Sequence, residues 1–370
     1  TGSQAIRVMT SLGYPDQHGN IKNANFKRYN LRNNMDIRMN DRLNFRLDIA
    51  ATYSRRAANP YQSSVFGFMN SKDPLMLAQW SDGSYAPFTG GTVNPLPMIE
   101  QGVGGNNIRQ NGVPKASAAL EYKPVQWLTL EVKAAPQLTA VKTHRFVDLV
   151  EYHSDPYGTV SKTSNAEYNS LDETVTAAWN GYYHATAAAT RQFGGHSFKL
   201  LVGASYEEYD YYSLGAYRQE FAYPDYEVIS AGGDNEFKDN SGSRTQMALG
   251  SFFGRINYNF KERYLFEANL RYDGSSRFVR KNRWSAFPSF SAAWRVTEEP
   301  FMAAARKTLS EFKIRASYGT LGNQNINSYY PASQLLTISS ISAANKIYPI
   351  VAQNSLANED ITWETTETYD

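Results

Sequence analysis

Residues 249–278 read LGSFFGRINYNFKERYLFEANLRYDGSSRF, and their period decides the fold. Gly250, Phe252, Gly254, Ile256, Tyr258 and Phe260 alternate with Ser251, Arg255, Asn257 and Asn259. After Lys261-Glu262-Arg263 the alternation resumes, with Phe266, Ala268, Leu270 and Tyr272 against Glu267, Asn269, Arg271 and Asp273. A period of two sends successive side chains to opposite faces of a strand. A short polar break between two such runs is a hairpin turn. The stretch therefore reads as an antiparallel hairpin with one apolar and one polar face.

The same pattern spreads outward in both directions. Leu31, Met35, Ile37 and Met39 share one parity, as do Leu43, Phe45, Leu47, Ile49, Ala51 and Tyr53. Leu128 to Ala134, Phe198 to Tyr206, Trp284 to Val296 and Phe312 to Tyr318 repeat it. Short connections fall at Asn40-Asp41-Arg42, Pro124-Val125-Gln126, Gly194-Gly195-His196 and Lys261-Glu262-Arg263. Long ones run from Ala57 to Pro114, Asp148 to Ser170, Ser213 to Ser243 and Leu321 to Asp360. Short and long take turns. In an up-and-down barrel this puts all short turns on one rim and all long loops on the other, as in outer-membrane barrels. Runs such as Thr245–Phe260 exceed the ~5–6 residues of a soluble strand and reach the ~9–11 of a membrane strand. Tyr53, Tyr122, Trp127, Tyr264, Tyr272, Trp284 and Trp294 lie near run ends, where amphipathic rings suit the headgroup level.

Composition removes other classes. The chain has 370 residues, a formal charge of +2 and no cysteine. No disulfide framework or thiolate site is possible, and a near-neutral balance argues against a nucleic-acid binder. No apolar run is long enough for a membrane-spanning helix, and mean hydropathy is −0.52. Neither fact bears on a barrel, whose alternating strands average to polar.

The blocks Leu249 to Tyr258, Tyr264 to Phe278, Trp284 to Ser289, Trp294-Arg295, Glu299-Pro300-Phe301, Lys313 to Gly319, Gly322-Asn323-Gln324 and Trp363-Glu364 together resemble the barrel of SusC/RagA-type TonB-dependent transporters. Phe26 to Leu31 fits the same family. The resemblance implies an all-β, antiparallel up-and-down transmembrane β-barrel in the bacterial outer membrane, in contact with its lipid. Residues 1–370 would form part of a single barrel domain with about twelve strands of a larger barrel. The plug, the TonB-contacting segment and the last strands would lie outside it. The implied partners are the TonB-ExbB-ExbD energising complex, a SusD-like surface lipoprotein and an oligosaccharide or peptide substrate. No enzyme activity, cofactor or nucleic acid is implied.

Two sets of candidate residues follow. Loop aromatics Trp80, Tyr85, Tyr209, Tyr211, Tyr212, Tyr217, Tyr223 and Tyr226 could stack on sugar or peptide groups; their bland role is packing within the loops. Wall charges Arg32, Arg38, Arg255, Glu267, Arg271 and Arg315 could face a plug; their bland role is hydration and pairing within the wall. His153-Ser154-Asp155 has triad residue types but not a triad's spacing. Asp234-Asn235-Glu236 with Asp239 reads as a solvated loop rather than a calcium site. Asp273-Gly274 is expected to bend out of its strand. Pro300 to Leu309 is expected to form a helix on the short-turn rim. The competing readings are a secreted soluble carbohydrate-binding β-protein and a passive porin. If the apolar sets were buried between two stacked sheets, the membrane assignment would fail.

Overall fold

The computed structural model describes residues 5–70, 75–87, 94–100, 102–163, 166–305, 308–326, 329–333, 336–343, 346–353 and 356–370. Strands β1 (Ile6–Gly13), β2 (Asp16–His18), β3 (Asn25–Arg38) and β4 (Leu43–Ala58) precede helix α1 (Gln62–Asn70). Then come β5 (Gly105–Val125), β6 (Leu128–Val147), β7 (Glu151–His153), β8 (Val160–Thr163), β9 (Ser170–Phe193) and β10 (His196–Gln219). The rest are β11 (Asp239–Phe260), β12 (Tyr264–Ser275), β13 (Trp284–Arg295), β14 (Lys313–Asn323), β15 (Leu336–Ala343), β16 (Lys346–Gln353) and β17 (Glu364–Tyr369).

One 13-stranded sheet carries the fold, in the order β1-β3-β4-β5-β6-β9-β10-β11-β12-β13-β14-β17, with β2 beside β3. All its neighbours are antiparallel. Neighbouring strands in space are neighbours in sequence, so this is an up-and-down meander, and it stays open at β1 and β17. Gly194 and Gly195 turn β9 into β10 with φ of 54° and 87°, the left-handed pair that a tight hairpin needs. Lys261 and Glu262 do the same without glycine, at φ 51° and 58°. Asn259 steadies that turn by accepting the Glu262 N–H at 2.9 Å.

The apolar parity is not buried between sheets. Phe252, Leu270 and Phe290 share one face and are 59%, 51% and 53% exposed. Aromatic rings line the edges of this outer face. Tyr14, Tyr29 and Tyr53 form one row near the long-loop rim, continued by Tyr183 with Tyr206 and by Tyr272 with Trp284. Phe198, Tyr258, Phe260 and Tyr264 line the other edge. Trp284 and Trp294 bound the apolar stripe of β13. At ~3.3 Å per residue and a ~40° tilt, the stretch between them rises about 25 Å, the height of an outer-membrane apolar band.

Several expectations are corrected. Gly274 does not bend the chain; it lies within β12 with no positive φ. Its missing Cβ makes room for the Trp284 ring, which would stand 2.5 Å from one. The Pro300 to Leu309 helix is replaced by single 3-10 turns at Val296–Glu298 and Pro300–Met302, with residues 306 and 307 outside the described set. The first long connection contains α1, and the last contains the β15-β16 hairpin. β5 begins at Gly105, β10 runs to Gln219 and β11 starts at Asp239, so those loops are shorter than the sequence suggested. β1, unnoticed in the sequence, pairs with β3 from Ile6↔Ile37 to Gly13↔Asn30.

Candidate ligand-facing surface

The inner face of the wall divides by height. Lower down, several of its charges are matched, although Arg7, Arg32 and Arg315 have no ion-paired carboxylate among the described residues. Arg46 and His184 both meet the Glu131 carboxylate, His184 Nε2 at 3.0 Å. Lys123 pairs with Glu121 at 2.9 Å and Arg38 with Asp41 at 2.8 Å. Arg255 donates to Asn269 Oδ1 at 2.5 Å and lies 3.9 Å from Glu267, which also accepts from Asn257 and from Asn269. Level with the upper aromatic row, on either side of Tyr272, Arg271 grips Asp273 at 3.1 Å and donates to Ser251 Oγ at 2.9 Å. Of the expected wall charges, Arg32, Arg38, Arg255, Glu267, Arg271 and Arg315 all carry the inner parity. Arg32 donates to Asn34 at 3.0 Å. An open groove of about 850 Å³ runs past Arg255, Glu267, Arg271, Asp273 and Phe287.

Farther up, the inner face changes. Tyr209 and Tyr211, expected in a loop, sit on β10, opposite Asn180 with Met247 and Ala178 with Thr245. Their rings are nearly parallel, 13° apart with centroids 6.4 Å apart. Tyr217 also lies on β10 and accepts from Gln219 Nε2 at 2.6 Å. Tyr212 has the opposite parity and faces outward, 46% exposed. Beside the tyrosines, Arg277 stacks on Tyr329 at 4.4 Å and donates to the Gln324 carbonyl at 3.1 Å. On the β3–β5 side the same level carries Arg28, Arg56 and Arg109, with Arg56 directly opposite Arg109 and Lys115 lower on the same face, opposite Ala50.

Two loops are packed on opposite sides of the upper wall. Tyr61, Val65 and Met98 of the first cluster on Val147 of β6, on its inner parity. Trp80 Nε1 donates to the His153 carbonyl at 2.6 Å, and the Tyr85 carbonyl accepts the His153 N–H at 2.9 Å. Burial pushes the Tyr85 phenol up, and that of Tyr152 up to about 12. Tyr152 donates to the Asn94 carbonyl at 3.3 Å. Trp80 and Tyr85 thus form part of the loop's own frame. The Asp155 carboxylate of the His-Ser-Asp run accepts the Tyr157 N–H at 2.8 Å.

The later loop folds down the outer side. Its Phe221 is 4% exposed and packs on Phe146 and Leu171. Glu227 reaches His144 Nε2 at 2.5 Å and Asn106 Nδ2 at 2.7 Å, while His144 Nδ1 lies 2.7 Å from Glu173. Tyr223 and Tyr226 stand exposed at the tip, 78% and 61%. Asp234 is held by Lys238 at 2.5 Å, which keeps its carboxyl below the usual range. His144, Glu227, Arg56, Arg109, Arg277 and Tyr329 were not singled out in the sequence. Continuing the parity of Val202 and Ala204 along β10 would have separated Tyr209 and Tyr211 from Tyr212.

An open antiparallel wall with a ringed apolar outside and a charged inside is part of a transmembrane β-barrel. The model of the TonB dependent receptor-like, beta-barrel family matches residues 3–370, and the chain belongs to that family. Its barrel is of the SusC/RagA type, found in the bacterial outer membrane. TonB-dependent receptor P26 of Formosa agariphila is 28% identical, over 100% of this chain and 36% of the relative. TonB-dependent receptor SusC of Bacteroides thetaiotaomicron is 25% identical, over 100% and 38%. Among solved structures, the RagAB peptide transporter superposes with a TM-score of 0.79 at 21% identity, covering 100% of this chain and 40% of that one. The chain therefore spans little more than a third of the length of these curated relatives. The family is one of receptors and transporters rather than enzymes.

Proposed function

We propose that the protein to which this wall belongs imports glycan oligomers or peptides across the outer membrane. TonB-ExbB-ExbD supplies the energy, and a SusD-like surface lipoprotein delivers the substrate. Residues 1–370 serve as part of one barrel domain and carry out no bond-making step. The observation that carries this reading is the two-sided wall, whose lipid-type outer face is backed by an inner face with polar networks below and half-buried tyrosines above. Tyr209, Tyr211 and Tyr217 line the entry side, and Tyr223 and Tyr226 stand at the loop tip. Arg32, Arg38, Arg255, Glu267, Arg271 and Arg315 brace a plug inside the barrel. Names of relatives support both substrate classes, SusC on one side and a peptide transporter on the other.

The test is uptake by cells carrying the full-length protein, with and without TonB. Uptake of an oligosaccharide or peptide that stops when TonB is deleted is expected. Uptake that survives would identify a passive pore. Recovery of the full-length protein from the medium as a detergent-free monomer would favour the soluble binder.

A further inference from the structure

We infer that the upper inner wall binds an acidic glycan, with Arg56 and Arg109 holding its anionic groups and Tyr209 and Tyr211 supporting its rings. The inference rests on the import reading and names the substrate class of that same surface. Arg56 and Arg109 are direct cross-strand partners. Like charges in that position repel, and among the described residues neither has a hydrogen-bonding or ion-pair partner for its side chain. Arg28 and Lys115 stand on the same face, equally unmatched among the described residues. Lower on this wall the chain places a carboxylate beside Arg38, Arg46 and Arg255. It does not do so here. Among the described strand residues, the carboxylates of the upper inner parity include Glu207, Asp172, Asp239, Asp273 and Glu364; none lies on β4 or β5.

Height separates this sector from the region where a plug would be braced. Tyr53 and Tyr206 belong to the upper aromatic row. Arg56 lies just beyond Tyr53 on β4, and Tyr209 lies just beyond Tyr206 on β10. Both are thus at the roots of the long loops, where a ligand arrives from outside. Three strand spacings separate β5 from β10, about 14 Å, and the register carries Arg109 through Thr143 and Thr174 to Gly215, four residues from Tyr211; the resulting span of about 19 Å is one that an oligosaccharide of several rings covers. Parallel tyrosine faces suit the flat C–H face of a sugar ring, and guanidinium forks suit carboxylate or sulfate. Sugar faces and anionic groups occur together in an acidic glycan.

The full-length protein in detergent is titrated calorimetrically with paired probes. These are oligogalacturonate and its methyl ester, and a sulfated carrageenan oligosaccharide and its desulfated form. At least one acidic member is expected to bind ten times more tightly than its neutral partner, with affinity falling steeply as salt rises. Arg56→Gln with Arg109→Gln should weaken the acidic form roughly ten- to hundredfold and abolish the discrimination. Arg56→Lys with Arg109→Lys should retain much of it. Tyr209→Ala with Tyr211→Ala should weaken both members alike. Three results would overturn the proposal: no acidic member outbinds its partner, oligoglutamate binds as tightly as the glycan, or the Gln pair lowers thermal stability while binding is unchanged. Loss of TonB-dependent uptake of every probe, with this binding pattern intact, would instead count against the import reading alone.

Discussion

The lower and upper halves of the inner wall are built on the same strands yet handle charge in opposite ways. Below, Glu131 serves both Arg46 and His184, and Asp41 serves Arg38. Above, Arg56 faces Arg109 with no carboxylate between them. Both halves send successive side chains to opposite faces with the same period, so side-chain direction cannot be the cause. The difference lies in what each half is left to face. A wall that satisfies its own charges presents a finished surface. A wall that leaves cations unmatched, with half-buried tyrosines a few strands away, presents half of a contact.

The largest expected effect breaks the matched half. Glu131→Gln leaves Arg46 and the His184 ring without their shared carboxylate. The Glu131 side chain is 22% exposed, so screening is partial, and a loss of about 1–3 kcal/mol is expected. Thermal unfolding of the full-length protein in detergent measures it. Arg109→Gln, in the unmatched half, should change stability by no more than about 0.5 kcal/mol. Equal costs at the two positions would erase the distinction between the halves.

How much of this was legible in the sequence depends on where the bilayer ends. Between the aromatic rows the outside must be apolar, so alternation shows the facing of most strands; β1 escaped because Thr10 stands on its outer parity and Met9 on its inner one. Above the upper row that constraint lapses. Glu208, Asp210 and Arg244 appear on the outer parity, with Arg244 pairing to Asp210 at 2.7 Å. The run Tyr209-Asp210-Tyr211-Tyr212 then loses its contrast and reads as loop, although β10 continues through it to Gln219. The wall charges were found because their parity is clean. The Arg56–Arg109 opposition was not, because it depends on the register of β4 against β5, across a long connection. Gly274 looked like a bend because a sequence does not show that Trp284 lies over it.

A smaller effect is expected at the short-turn rim, where the matched style continues. Glu299 is 7% exposed and accepts from Tyr264 Oη at 2.6 Å and Trp294 Nε1 at 3.1 Å, with Arg263 at 3.4 Å. These donors, the Tyr264 hydroxyl foremost, hold its carboxyl below the usual range against the opposing pull of burial. A depressed pKa gives a contribution that is full above the ordinary carboxylate value and is lost as pH falls through the depressed one. The melting temperature should therefore drop on acidification below pH ~4, and Glu299→Gln should flatten that part of the profile. An unchanged acid limb in the variant would show that Glu299 is not part of the rim's acid sensitivity.

The smallest effect sharpens the unmatched half, because it asks whether the cations are unmatched in the whole protein. Arg56→Glu places a carboxylate opposite Arg109, converting a repulsive cross-strand pair into an attractive one. Such pairs are worth roughly 0.2–1 kcal/mol, so the variant should melt slightly higher than the parent. Binding of an acidic oligosaccharide should fall, since Arg109 now has an internal partner. The two readouts move in opposite directions only if the repulsion is kept for a ligand. If Arg56→Glu melts lower, Arg56 already has a carboxylate partner elsewhere in the barrel, and the upper wall is finished in the same way as the lower one.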